Sequence, residues 1–179
     1  DDVKLILLCL FACNRLKKTP IIFPPEQIST LQYKNSVDVD FEINNNNCII
    51  QPKYKKKYVG YQYDANSVQC ILFTSGTFGS PKGVELTFGN MYNSVLNWAE
   101  IYPFNEKDVY LNVMPLHHIS GLSILFRSIY LNFYSIINVY NTKDIFEMIT
   151  NNNVTCLSAV PKMVYDFLND ELNNDNKYI

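Results

Sequence analysis

The chain has 179 residues, enough for a domain with a substantial hydrophobic core. Hydrophobic residues make up 47% of the sequence, which excludes an intrinsically disordered chain. The formal net charge of −2 provides no overall basic field, so we expect no nucleic-acid partner.

Five cysteines occur at irregular spacing, and their odd number favours reduced thiols in a reducing compartment such as the cytoplasm. Asn, Lys, Ile and Tyr are abundant, which is typical of an AT-rich genome. If that genome belongs to an organelle, the plastid stroma is the alternative location. The apolar run at residues 5–13 is shorter than the ~20 residues that span a bilayer. We therefore predict a buried helix there and no integral membrane segment.

The first third of the chain reads as an N-terminal part, residues 1–66, of a larger domain. Residues 3–18 are predicted to form a helix with Leu, Cys and Phe on its buried side. Residues 20–23 predict a short buried strand, and residues 24–33 a short helix. Strict alternation of apolar and polar residues predicts a strand at residues 37–43, and a polar turn at 44–47 followed by an apolar run completes a hairpin at residues 37–51.

A glycine-rich segment, residues 74–83, follows a predicted buried strand at residues 68–73. Glycines let the backbone approach a ligand, successive N–H groups form an anion-binding nest, and hydroxyls and a lysine add donors. These ingredients together predict a polyphosphate-binding loop. Its candidate phosphate-binding residues are Thr74, Ser75, Gly76, Thr77, Gly79, Ser80, Lys82 and Gly83.

Strands and helices alternate through the rest of the chain, which predicts an α/β fold with a mostly parallel sheet flanked by helices. We treat residues 67–179 as its core. The predicted elements are an extended segment at 84–86, a helix at 88–102 capped by Thr87, a strand at 109–114, a helix at 119–131, a strand at 133–140, a helix at 142–150, a strand at 154–158 and a helix beginning at Pro161. Ligands gather at the carboxyl ends of such strands, where one cleft can join the glycine-rich loop, the His117 region and residues 158–161.

Two adjacent histidines, His117 and His118, lie in the segment at residues 114–122. In extended chain, neighbouring side chains point to opposite sides, so this pair is a poor ligand set and we predict no metal site. One imidazole is expected to face the cleft, and the other to pack or meet solvent.

The glycine-rich loop resembles the signature of the adenylate-forming enzymes, the superfamily of acyl-CoA synthetases and adenylation domains. That signature is Ser/Thr-Ser-Gly-Ser/Thr-Thr-Gly-x-Pro-Lys-Gly, and every fixed position is matched except one, where Phe78 replaces threonine. A Walker loop does not fit because Lys82 lies between Pro81 and Gly83. The resemblance implies ATP with Mg²⁺ as ligand, and the fold of the superfamily's large N-terminal domain.

Residues 115–127 look like the corresponding segment of the o-succinylbenzoate–CoA ligase family, in which His-Ile-Ser-Gly-Leu-Ser and a downstream arginine occur together. Residues 158–161 are similar to that family's substrate-pocket strand end. Arg127 interrupts an apolar helix, and a buried arginine needs an anion. That anion is either the spare carboxylate of a dicarboxylic substrate or a protein carboxylate, unless Arg127 lies at the helix edge. The acyl-substrate pocket that the resemblance implies is formed by His118, Ser120, Gly121, Arg127, Ser158, Val160 and Pro161.

The resemblance implies an AMP-forming acid–CoA ligase of menaquinone or phylloquinone synthesis, with a small acid, ATP and coenzyme A as its substrates. No residue is assigned a catalytic role, because the family's catalytic lysine, its ribose-binding aspartate and its Tyr-Gly-x-Thr-Glu motif have no counterpart here. We therefore expect the chain to be part of the large N-terminal domain, to lack the C-terminal part of the family and to be inactive alone. A homo-oligomer is compatible with the sequence.

Three alternatives stay open on sequence alone. One is an acyl-CoA ligase for a different acid. Another is an adenylation domain that serves a carrier protein, although no amino-group-binding aspartate follows residues 117–122. The last is a degenerate nucleotide-binding module, which Phe78 favours.

Overall fold

The computed structural model describes residues 3–23, 64–74 and 81–173, and the side chains of residues 143 and 170–173 are not among those described. The predicted helix at 24–33, the predicted hairpin at 37–51 and most of the glycine-rich loop lie outside the described residues. The described helices are α1 (Val3–Arg15), α2 (Phe88–Ile101), α3 (Ile119–Leu131), α4 (Thr142–Asn151) and α5 (Pro161–Asn173). The described strands are β1 (Ile21–Ile22), β2 (Val68–Thr74), β3 (Lys82–Thr87), β4 (Val109–Asn112), β5 (Tyr134–Ile137) and β6 (Cys156–Leu157).

The chain divides into two compact units, residues 1–90 and 91–179. In the first unit, β2 is the central strand of a three-stranded sheet, parallel to β1 and antiparallel to β3. The apolar run of β2 is buried as predicted, and Cys70 within it is fully buried. Burial raises the pKa of the Cys70 thiol to about 12.

Helix α1 forms where the sequence predicts it, but its buried side is narrower than expected. Only Leu10 and Asn14 are buried, whereas Leu8 and Phe11 are each almost half exposed. The prediction that phenylalanine faces the core is therefore wrong. The helix stops where Lys17 adopts a left-handed backbone conformation and the Lys18 N–H donates to the Cys13 carbonyl, an arrangement that satisfies a terminal carbonyl group.

The second unit contains an entirely parallel three-stranded sheet with the order β5–β4–β6. Helix α3 connects β4 to β5, and α4 connects β5 to β6, so the predicted alternation and the α/β class are confirmed. Leu111 and Ile145 anchor one apolar cluster of this unit. The aromatic rings of Phe104, Tyr110 and Phe133 stack in another. Within the described residues, no helix is long and apolar enough to cross a membrane.

Helix α2 begins with a reciprocal cap. The Asn90 N–H donates to the Thr87 hydroxyl at 3.2 Å, and the Thr87 N–H donates to the Asn90 amide oxygen at 2.9 Å. This is the capping-box arrangement, with asparagine in place of the usual glutamate or glutamine. It confirms the prediction that Thr87 caps the helix.

Candidate functional site

The two described ends of the glycine-rich loop lie side by side. Thr74 ends β2, Lys82 begins β3, and the two residues are partners across the antiparallel pair. The Thr74 hydroxyl donates to the Lys82 carbonyl at 3.5 Å, and both side chains are exposed. The chain therefore leaves and re-enters the sheet at one point, where a seven-residue connection of residues 75–81 joins the strands.

Gly83 occupies a crowded position next to that connection. A Cβ atom there would lie 3.1 Å from Cγ2 of Ile71 on the neighbouring strand. This close approach gives a packing reason for the glycine, whether or not its backbone also contacts a ligand. The remaining predicted phosphate-binding residues, Ser75, Gly76, Thr77, Gly79 and Ser80, lie outside the described residues.

The turn from β4 into α3 is held by the side chain of Asn112, which is fully buried. Its amide nitrogen donates to the Gly121 carbonyl at 2.9 Å, and its amide oxygen accepts from the Met114 N–H at 3.1 Å. The sequence analysis missed this residue. The available signal was a polar residue inside an otherwise apolar run, because a buried amide persists only when its hydrogen bonds are made.

Gly121 lies where the first turn of α3 presses against the preceding backbone. A Cβ atom at this position would lie only 2.4 Å from the Pro115 carbonyl oxygen and 2.5 Å from that of Met114. Only glycine fits such a contact, so Gly121 allows the start of α3 to pack directly against the backbone of the preceding turn. Gly121, a predicted pocket residue, thus has a clear structural role.

The two histidines do not point to opposite sides, contrary to the prediction. Their ring centroids are 4.3 Å apart with the planes tilted by 48°, because His117 lies in a turn rather than in extended chain. His117 is half-buried, and desolvation followed by the neighbouring His118 charge lowers its pKa. His118 and Ser120 are exposed at the start of α3.

Within the described residues, no three His, Cys, Asp or Glu side chains gather closely enough to hold a metal ion.

Arg127 is buried on α3, with 8% of its surface exposed. Its guanidinium carbon lies 4.3 Å from the centroid of the Trp98 ring, and one terminal nitrogen donates to the Ser94 hydroxyl at 3.4 Å. Its Nε is buried without a hydrogen-bond partner in the described residues. Desolvation lowers the pKa of the guanidinium, and Tyr110 and Cys156 act in the opposite direction.

No ion pair joins Arg127 to a carboxylate within the described residues. The helix-edge reading of Arg127 is wrong, since the residue is buried, and the ion-pair reading finds no support in this part of the chain. What remains is a buried cation whose charge the described protein groups do not neutralise, which is expensive unless an anion joins it.

Ser158 follows β6 and lies against β4. Its hydroxyl shares a short 2.5 Å hydrogen bond with the hydroxyl of Tyr110, which is itself 1% exposed. Tyr110 also interacts electrostatically with Arg127. Val160 and Pro161 are exposed just beyond, where the Val160 carbonyl accepts the Val164 N–H and starts α5.

The structure thus brings Arg127 and Ser158 to a common neighbour, Tyr110, which the sequence analysis did not select. It does not bring His118 beside Arg127. The two residues are separated by two and a half turns of α3, about 13 Å along the helix axis at ~1.5 Å per residue. Nine residues at roughly 100° each also place the two side chains on opposite sides of the helix.

Comparison with known proteins places these features in context. The model of the family described as AMP-binding enzyme matches residues 6–178. Curated relatives include the 2-succinylbenzoate–CoA ligases of Staphylococcus aureus strains bovine RF122 / ET3-1 and Newman. Each is 32% identical over 129 residues, which is 72% of this chain and 26% of the relative. The chain therefore spans about a quarter of the length of these relatives.

Similar solved structures include O-succinylbenzoate coenzyme A synthetase from Bacillus subtilis. The unliganded form has a TM-score of 0.71 and 25% identity, covering 94% of this chain and 40% of that one. The complex with ATP and magnesium ion has a TM-score of 0.63 and 27% identity, covering 90% and 33%. The complex with AMP has a TM-score of 0.58 and 36% identity, covering 60% and 23%.

Proposed function

Because the chain belongs to the family of AMP-binding enzymes, we propose that it serves an AMP-forming acid–CoA ligase whose acid is o-succinylbenzoate. The S. aureus relatives carry that activity in their names, as does the B. subtilis enzyme. The observation that carries the choice of acid is the buried Arg127 guanidinium without a carboxylate partner in the described residues. A dicarboxylic acid supplies one carboxylate to react and a second to meet this cation.

ATP is proposed to bind at the glycine-rich loop. The support is the composition of residues 74–83 and the pairing of Thr74 with Lys82, which fixes both ends of the loop at one edge of the sheet. Backbone N–H groups and hydroxyls would contact the β- and γ-phosphates, and the exposed Lys82 ammonium would supply a mobile positive charge. Mg²⁺ would arrive with the nucleotide, since magnesium is commonly held by phosphate oxygens and water rather than by a protein cage.

The chemistry that the family resemblance implies has two steps. A carboxylate oxygen of the acid attacks the α-phosphorus of ATP, which forms an acyl-adenylate and releases pyrophosphate. The thiol of coenzyme A then attacks the acyl carbon, a C–S bond forms, the thiol proton is lost and AMP leaves. The part of this chain in both steps would be to bind and orient, so its contribution would be positional and electrostatic.

The acid is proposed to lie along α3, between its N-terminus and Arg127. His118, Ser120 and Gly121 would border one end of the pocket, and Arg127 would bind the unreacted carboxylate at the other. Ser158, Val160 and Pro161 would complete the wall beyond β6.

The location that we propose is a reducing compartment, which is the cytoplasm or, for an organelle-encoded protein, the plastid stroma. Among the described cysteines, Cys13, Cys70 and Cys156 are free thiols, which supports this choice.

Acid-dependent exchange of pyrophosphate into ATP tests the proposal in the full-length product of the gene that encodes this chain. The panel would comprise o-succinylbenzoate, benzoates, fatty acids and amino acids. We expect exchange with o-succinylbenzoate and none with amino acids. Exchange with another acid alone would keep the family and overturn the substrate. A folded protein that binds ATP without exchanging with any acid would be a nucleotide-binding module, in which Phe78 replaces a family hydroxyl.

A further inference from the structure

Helix α2 makes both polar and aromatic contacts to Arg127. Ser94 and Trp98 are four residues apart and therefore project from the same face of α2. The Ser94 hydroxyl accepts a long hydrogen bond from the guanidinium at 3.4 Å, and the Trp98 ring lies beneath it at 4.3 Å. The contact with the ring is the stronger of the two, because a hydrogen bond of 3.4 Å is weak.

The contact with Trp98 leaves the hydrogen-bond donors of Arg127 available. A guanidinium has five N–H donors and no acceptor. A ring whose centroid lies 4.3 Å from the guanidinium carbon stabilises the charge through its π face, whereas Ser94 accepts a hydrogen bond from one terminal nitrogen. Nε is buried without a partner in the described residues, so its donor is also unused. The rim of the group is left to bind a carboxylate through two parallel hydrogen bonds.

We propose that Trp98 is a positioning residue that holds the Arg127 guanidinium in place for the acid and thereby sets the preference for a doubly charged substrate. This inference rests on the proposed function, since it concerns the carboxylate that Arg127 is proposed to bind. It assigns to α2 a role in substrate selection.

The test measures kcat/KM for o-succinylbenzoate and for the two singly charged analogues that each lack one of its carboxylates, in the full-length enzyme. Trp98→Leu keeps an apolar side chain and removes the aromatic face. We expect it to lower kcat/KM for the dicarboxylate by about tenfold, as for loss of a desolvated cation–π contact, mainly through KM. The activity with the analogue that retains only the reacting carboxylate should not change. Trp98→Phe keeps a weaker aromatic face, so its kcat/KM for the dicarboxylate should lie between those of Trp98→Leu and the wild type.

Tyr92→Leu is the matched control. Tyr92 is an aromatic residue of the same helix that also contacts α3, through an edge-to-face pair with Tyr130, but it is 40% exposed and contacts the outer part of that helix. Its substitution should leave the ratio of dicarboxylate to monocarboxylate activity at the wild-type value. An equal change in that ratio in Tyr92→Leu would show a general effect of helix packing and would overturn the proposal.

A double-mutant cycle with Arg127→Gln distinguishes an effect of Trp98 that acts through Arg127 from a general structural effect of its substitution. If Trp98 acts through Arg127, then Trp98→Leu will not change the activity ratio further once Arg127 is Gln. An undiminished effect of Trp98→Leu in that background would overturn the inference. If Trp98→Leu does not fold, the same double-mutant cycle with Trp98→Phe tests the inference.

The two proposals fail in different ways. A wild-type enzyme that prefers a singly charged acid contradicts the proposed substrate and, with it, the role of Trp98. A wild type that prefers the dicarboxylate, together with a Trp98→Leu variant of unchanged preference, leaves the function in place and refutes only the role of Trp98.

Discussion

A single buried amide holds the turn after β4 against the start of α3, where three of the proposed pocket residues lie. Asn112 joins the Met114 N–H, which lies in the turn, to the Gly121 carbonyl, which lies in the first turn of α3. The side chain thus supplies the hydrogen bonds that sheet structure would otherwise make. We expect this residue to matter more for stability than any exposed residue of the turn.

Replacement of Asn112 by alanine should lower the free energy of unfolding by about 2 kcal/mol, since the Met114 N–H would lose its partner in a buried site and the Gly121 carbonyl would lose an additional donor. Urea-induced unfolding measures this difference. Asn97→Ala, at an exposed position on α2, is the control and should change stability by no more than about 0.5 kcal/mol. Equal stability of the two variants would mean that water or a rearranged backbone replaces the amide.

His117 makes stability depend on pH. Desolvation and the nearby His118 lower its pKa in the folded state below the ordinary value of 6.5, so the unfolded chain takes up a proton first as pH falls. The free energy of unfolding should therefore decrease as pH falls below about 6.5, until the folded state is protonated as well. The contribution of neutral His117 to the free energy of unfolding is fully present above that pH.

The dependence can be measured by urea unfolding at about pH 7.5 and about pH 5, for the wild type and for His117→Gln. The substituted protein should lose less stability than the wild type between these two conditions. An identical loss in both proteins would show that other groups account for the whole dependence.

At the scale of elements, the sequence predicted helices better than strands. Helix α3 runs over the predicted residues 119–131, and Pro161 begins α5 as expected. Strand β4 ends at Asn112, two residues before the predicted end, because Val113 and Met114 are buried by packing in a turn rather than by a ladder. An apolar run in the sequence indicates which residues are buried. Burial can continue beyond the last hydrogen bond of a sheet, so such a run does not locate the end of a strand.

In the site as well, sequence patterns predicted some features and not others. Residue types identified the glycine-rich loop and an isolated arginine, because both stand out along the chain. The contacts of Arg127 with Trp98 and the link of Ser158 to Tyr110 join residues 29 and 48 positions apart, and no local pattern encodes such pairs. The close approach of the two histidine rings depends on a turn at a place where the sequence predicted extended chain.

The capping box of α2 provides a test at the same scale. Thr87→Ala removes the acceptor for the Asn90 N–H and should cost about 1 kcal/mol in the free energy of unfolding. Thr87→Ser retains the hydroxyl and should cost much less. Because the two residues cap reciprocally, Thr87→Ala and Asn90→Ala should be less than additive when combined. Strict additivity in chemical denaturation would argue against a shared cap.

For the whole molecule, the relation to the curated relatives governs what the 179-residue polypeptide can do. It spans about a quarter of their length, and the sequence resemblance predicts that the family's catalytic lysine has no counterpart in it. We expect the isolated polypeptide to form no acyl-CoA from o-succinylbenzoate, ATP and coenzyme A. Product formation at a rate similar to that of a complete S. aureus ligase, followed by chromatography, would refute this account of the chain.

The burial of Cys70 has a practical consequence for following how the first sheet opens. Its thiol is fully enclosed and has a pKa of about 12, so almost no thiolate exists near neutral pH and alkylating reagents cannot reach it. Cys13 and Cys156 are only partly enclosed and should be modified first. The slow modification of Cys70, read by mass spectrometry of its peptide, would therefore report the rate at which β2 separates from its neighbours. Because β2 leads directly into the glycine-rich loop, protection of this thiol by added ATP would measure nucleotide binding without any turnover.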